Sequence, residues 1–157
     1  MDEDQYRSTY KRINPNRCVF EKSINNRRCD CDLKRRFLIA TREGIACRSE
    51  KSLAYCTQLL DSMRDNSRFA LKVVTVDDPM PHNKELKVQA GGMMGLQKLM
   101  FATDDKLADR PPDVVENIHQ IVDAILLEYG SIKDIPYGLI VKDIAACQVR
   151  PKRQRKR

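Results

Sequence analysis

The chain has no tryptophan, and aromatic residues make up only 6% of it. Its core must therefore be aliphatic, built from Leu, Ile, Val, Met and Ala. No apolar run approaches the roughly 18 residues that would suggest a membrane span. The N-terminus, MDEDQYRSTYKR, is acidic and then polar, without the apolar h-region of a secretory signal. The expected location is the reducing cytoplasm, where cysteines serve as ligands or free thiols more readily than as structural disulfides. Catalytic signatures are also missing: there is no HExxH, no pair of catalytic carboxylates and no Ser/His/Asp order. His82 and His119 have no Cys or His neighbour at a metal-ligand spacing, so each reads as an ordinary half-exposed residue. A cysteine-nucleophile enzyme is the least supported reading, because no base can be matched to a nucleophile.

Cysteine is present, and it is unevenly placed. Five of the six cysteines fall between Cys18 and Cys56, in the order Cys-x10-Cys-x-Cys-x15-Cys-x8-Cys, and Cys147 stands alone. Three accounts compete: a metal site, thiol redox chemistry, and packing as small hydrophobes. No Cys-x2-Cys occurs, so the compact zinc modules that pair their ligands on turns are not matched, and iron–sulfur is favoured over zinc. The candidate ligands are Cys18, Cys29, Cys31 and Cys47, with Cys56 able to replace one of them. Cys56 lies on the apolar seam of an expected helix, where packing competes with ligation. Cys29 and Cys31, one residue apart, reach a common metal only from a loop or turn. The basic residues Arg27, Arg28, Lys34, Arg35 and Arg36 flank them and favour thiolate.

Charge follows the same division. Residues 7–36 carry ten Lys/Arg against three acids, and residues 37–149 carry thirteen against sixteen. The last eight residues, RPKRQRKR, contain Arg150, Lys152, Arg153, Arg155, Lys156 and Arg157 and no acid. The overall charge of +7 therefore belongs to the cysteine segment and the tail. Such basic patches suit nucleic acid or an acidic protein surface.

The 157 residues suffice for one core. The pattern predicts a mainly α fold, a helical bundle of about five helices with an irregular cysteine-rich N-terminal segment. Residues 1–17 are expected to be a flexible arm, 18–149 a single helical domain with a cysteine-rich lobe at 18–56, and 150–157 a disordered basic tail. A short helix is expected at Val19–Ile24. Asp32 is a candidate N-cap for a helix from Leu33 to Ala46, with Leu33, Phe37, Ala40 and Gly44 along one face. Ser49 caps a second, from Glu50 to Asn66, and Phe69–Val76 reads as a frayed helix passing into an extended piece. Residues 83–101 keep helical spacing despite Gly91, Gly92 and Gly95, which imply a bend, a close helix approach or ligand contact. AGGMMG lacks the Gly-x4-Gly-Lys-Ser/Thr pattern of a phosphate loop. Another helix is expected from Pro111 to Tyr129, ended by Gly130, and a last one from Pro136 to Cys147.

These features point to a non-catalytic, cytosolic metal-binding protein, a redox- or metal-responsive nucleic-acid-binding factor. The alternative is an accessory or assembly protein docking on a larger metalloenzyme, with Met93, Met94 and Met100 as part of its docking surface. No membrane contact is expected, and a protein partner is compatible with either reading.

Overall fold

In the computed structural model, residues 2–73, 79–101 and 114–149 are described. The chain is mainly helical, with a two-stranded sheet. Helix α1 spans Glu3–Ile13, where the sequence suggested a flexible arm. Its cap explains it: the Asp2 carboxylate accepts from the Gln5 N–H at 2.8 Å. Glu3 and Asp4 in the first turn and Lys11 and Arg12 in the last complement the helix dipole. Tyr10 is its one buried residue.

The short helix α2 covers Glu21–Asn25. The helix expected over Leu33–Ala46 is instead a β-hairpin, β1 at Lys34–Ile39 and β2 at Arg42–Cys47, paired from Lys34↔Cys47 to Ile39↔Arg42. Strand alternation accounts for the change. Ile45 points into the core, while the Phe37 ring packs on Tyr10 of α1, centroids 5.8 Å apart. The ring lies over Gly44, where a Cβ would stand 2.5 Å from it. Ala40 closes the turn with a positive φ of 55°. Thus α1 covers one face of the hairpin and the core covers the other.

Helix α3, Glu50–Ser67, starts as expected, with the Ser49 hydroxyl accepting from the Ser52 N–H at 3.1 Å. It runs out in turns through Lys72; the Asp77-Asp78 part of the expected loop lies outside the described residues. Next come α4 (His82–Leu86), a π-helical turn (Lys87–Gly91) and α5 (Gly92–Phe101). The glycines serve close packing. A Cβ on Gly91 would stand 2.8 Å from the Asp143 carbonyl oxygen and the Ile144 Cα, both in helix α7 (Tyr137–Ala146). Met93 and Met94 are buried here and so cannot form the expected docking surface, and Met100 is half-buried against the core.

Helix α6 covers Ile118–Tyr129 and ends at Gly130, whose φ is 78°. Its expected start at Pro111, and the linker before it, lie outside the described residues. Val114–Asn117 are not helical. Val115 bridges to Cys29, its N–H donating to the Arg28 carbonyl at 2.9 Å while its carbonyl accepts from the Asp30 N–H at 3.0 Å. That bridge fastens the cysteine-bearing segment to α6. The core is aliphatic, with Ile45, Leu59, Leu60, Leu96 and Ile125 fully buried. No helix among the described residues is long and apolar enough to cross a membrane.

Candidate functional site

Four cysteines from four places in the chain line one apolar cavity: Cys18 ahead of α2, Cys31 ahead of β1, Cys47 ending β2 and Cys56 on α3. Local structure puts each there. The Cys18 N–H donates to the Ile45 carbonyl at 2.9 Å, tying that segment to β2. Register sets Cys47 opposite Lys34. Cys56 sits two turns inside α3, next to the seam that carries Leu59, Leu60 and Met63 into the core. Phe20, Leu33, Leu53, Ile118 and Val122 supply the apolar remainder. The void between them is about 20 Å³.

Burial raises the Cys18 thiol to about 12, against the Phe20 N–H, which donates to its sulfur; Cys31, Cys47 and Glu21 nearby raise it further. Burial also raises the Cys31 thiol, against the N–H groups of Leu33 and His119. Cys56 is pushed up by burial and then by Cys18, Cys31 and Cys47. The four sulfurs thus lie close enough to disfavour one another's thiolate forms. The His119 N–H comes from the first turn of α6, whose positive dipole end faces Cys31. The Cys47 thiol donates to the Ser49 carbonyl at 3.2 Å.

Cys29 does not line the cavity. It is 4% exposed, and the groups acting on it are Ser23, Arg28, Cys147 and, from the cavity, Cys18. Burial pushes its thiol to about 12. Arg28 Nη2 lies 3.8 Å from the Cys147 sulfur, and its Nη1 donates to the Gln148 carbonyl at 2.6 Å. All six cysteines are free thiols. Among the described residues, no three His, Cys, Asp or Glu side chains are arranged to hold one metal ion. His119 also lines the cavity, but its ring is held between carboxylates, Nδ1 3.1 Å from Asp32 and Nε2 3.2 Å from Asp123. His82 is exposed at the start of α4.

The basic residues divide. Arg27, Lys34 and Arg36 line a second cleft of about 310 Å³ with Asp30 and Glu116. Lys34 pairs with Asp30, and Arg36 with Glu43. Arg35 is exposed, its guanidinium 5.6 Å from the Phe37 ring centre, and Arg28 turns to the end of α7. Arg150, Lys152, Arg153, Arg155, Lys156 and Arg157 lie outside the described residues.

A third feature is polar and was not anticipated. Glu85, buried, accepts from Arg64 Nε at 3.0 Å and from Gln89 Nε2 at 2.9 Å, and the Gln89 carbonyl accepts from the Ser23 N–H at 3.1 Å. Burial alone would raise the Glu85 carboxyl, but its hydrogen bonds to Arg64 and Gln89 hold it below the ordinary range. The sequence signal was the i, i+4 spacing of Glu85 and Gln89, which the π turn brings to one side. No protein-family model matches the chain, and neither the curated proteins nor the solved structures contain a match to it.

Proposed function

We propose that the protein is a non-catalytic iron–sulfur protein, with a cluster carried by Cys18, Cys31, Cys47 and Cys56, and that it acts as a redox- or metal-responsive nucleic-acid-binding factor. One observation carries this reading: four cysteines from four separate elements line the same apolar cavity. Thiols packed as small hydrophobes have no reason to converge, and a disulfide switch needs two rather than four. Burial holds the Cys18 and Cys31 thiols protonated, and backbone N–H groups donating to their sulfurs offset part of that cost when a metal takes the thiolate.

Iron–sulfur is preferred over zinc because the sequence has no Cys-x2-Cys pair of the kind that compact zinc modules place on turns. In a cluster each thiolate can take a different iron, so the sulfurs stand farther apart. The present void holds about one water-sized sphere. Loading therefore draws the half-buried Cys31, Cys47 and Cys56 outward.

The nucleic-acid part follows from where the ligands sit. Cys31 and Cys47 bracket the hairpin at its base, and the strands between them carry Lys34, Arg35 and Arg36. A cluster joining the two cysteines clamps the hairpin, and its loss releases it. Redox state or metal supply thereby sets whether Arg27, Lys34 and Arg36 present one basic cleft to phosphates. The basic tail adds sequence-independent attraction.

The test is purification without oxygen, followed by metal and sulfide analysis and a visible spectrum. Iron with matching sulfide and a broad visible band is the expected result. Zinc without colour would make the site structural. Free thiols with neither metal would overturn the proposal.

A further inference from the structure

Cys18 faces two ways. It walls the cysteine cavity, and it also lines a groove of about 680 Å³ formed with residues of α2, α3 and α4. That volume lies within the roughly 300–1,000 Å³ of small-molecule sites. The groove carries acids and bases together, and their partners decide what it can hold. Glu85 is occupied by Arg64 and Gln89. Glu21 is occupied by Arg17, the Tyr10 hydroxyl and the Ile45 N–H. These two buried carboxylates orient guanidiniums and have nothing left for a ligand. Asp61 pairs with Arg64 of its own helix, and Asp65 with Arg68 just past its end.

The basic groups least engaged are Lys22 and Arg17. Lys22 is exposed and makes no hydrogen bond or close ion pair among the described residues, although its charge reaches Glu85. Arg17 spends Nε and Nη2 on Glu21, its guanidinium lies 4.4 Å from the centre of the Tyr10 ring, and its Nη1 has no partner among the described residues. Val19 and Met80 supply an apolar wall beside these groups.

We propose that this groove binds a small organic oxyanion through the Lys22 ammonium and the outer edge of the Arg17 guanidinium, with its apolar part against Val19 and Met80 and one end at Cys18. A fixed guanidinium and an ammonium on separate supports suit either a phosphate ester or a carboxylate, and the oxyanion is common to both. The inference stands on the groove and does not require a cluster.

Calorimetric titration of the full chain, as purified, with AMP and with citrate tests it. Saturable binding of at least one probe is expected, weakened about tenfold or more by Lys22→Ala, which removes a charge-assisted contact. Lys133→Ala, at an exposed lysine that does not line the groove, should leave it unchanged. Binding of AMP alone identifies a phosphate ester, and binding of citrate alone a carboxylate. No binding of either probe at millimolar concentration, or binding indifferent to Lys22→Ala, overturns the inference. Metal analysis of the same sample separates the two proposals: oxyanion binding without iron sinks the proposed function alone, and iron without oxyanion binding sinks this inference alone.

Discussion

Lys34 and Cys47 stand opposite each other in the rung that closes the base of the hairpin. Arg35 and Arg36 follow immediately on β1, so ladder bonds join the Cys47 end of β2 to the basic strand. A two-stranded hairpin is marginal by itself. This one depends on Phe37 against Tyr10 outside and Ile45 inside.

The four cavity cysteines should behave as a set. Serine at Cys18, Cys31, Cys47 or Cys56 should each lower bound iron per chain and the melting temperature of the loaded protein. Cys147→Ser should keep full iron, and so should Cys29→Ser, although the second places a hydroxyl in a buried site. Iron analysis beside thermal unfolding checks this. Loss of iron in Cys29→Ser as complete as in Cys31→Ser would make Cys29 a ligand.

Metal uptake should depend on pH. Burial holds the Cys18 thiol near 12 and also raises Cys31 and Cys56, so these thiols enter the binding reaction protonated. Each becomes a ligand only by releasing its proton. Apparent affinity for a probe metal such as Co²⁺ should therefore rise from about pH 6 to about pH 8. A pH-independent titration would mean that the thiols are not the ligands.

Acid should weaken the fold through Glu85. Its folded carboxyl is held below the ordinary 4.5 by Arg64 and Gln89 in spite of burial. A depressed folded value adds stability that is full above the unfolded value and is lost as pH falls through the folded one. Urea midpoints should hold steady above about pH 5 and drop below about pH 4. Glu85→Gln keeps one acceptor oxygen but removes the charge and replaces the other oxygen by a donor facing Arg64 or Gln89, so it should lower the midpoint at neutral pH by about 1–3 kcal/mol in equivalent free energy and flatten its acid limb.

The glycines should differ in cost. A methyl at Gly91 meets α7 backbone, which cannot swing aside, so Gly91→Ala should destabilise by about 1–3 kcal/mol. At Gly95 the nearest atoms belong to the Asp143 side chain, which can turn away at the expense of its exposed pair with Lys98, so the cost should be smaller. Gly138 has nothing within 4 Å of its would-be Cβ, and alanine there should stabilise α7 by up to about 1 kcal/mol. Denaturant unfolding of the three variants ranks them.

Nucleic-acid binding should run through the cleft. Arg27→Ala should weaken binding to duplex DNA and reduce the slope of log K against log salt by about 0.9 for each phosphate that is no longer neutralised. A slope flat from the outset would argue that the basic residues serve only the fold.

Part of this was legible beforehand. Ser49 announced α3, Gly130 ended α6, and the i, i+4 runs of α6 and α7 showed their buried faces. The hairpin was not legible. Phe37, Leu38 and Ile39 in succession satisfy a helical stripe as readily as a strand, and the Ala40-Thr41 turn has none of the Asn or Gly that usually marks a hairpin. In α1 the cap and end charges were present, but one buried residue leaves no apolar stripe to read. Crowding in the sequence picked out the cysteines, but the choice between Cys29 and Cys56 depends on the bridge from Cys29 to Val115, a pairing of distant segments that spacing does not encode.

The π turn at Lys87–Gly91 changes what a single helix can do. An extra residue in one turn rotates everything beyond it by about 100° relative to an unbroken α-helix. Glu85 and Gln89 look toward Arg64 and Ser23, while Gly91 and Gly95 look toward α7. Deleting one residue there would leave a better regular helix with its two halves in the wrong phase. It could then keep the polar clasp or the glycine seam, but not both. The irregular turn thus acts as a gear between the cysteine-bearing half of the molecule and its C-terminal helices, and a one-residue length change would slip it.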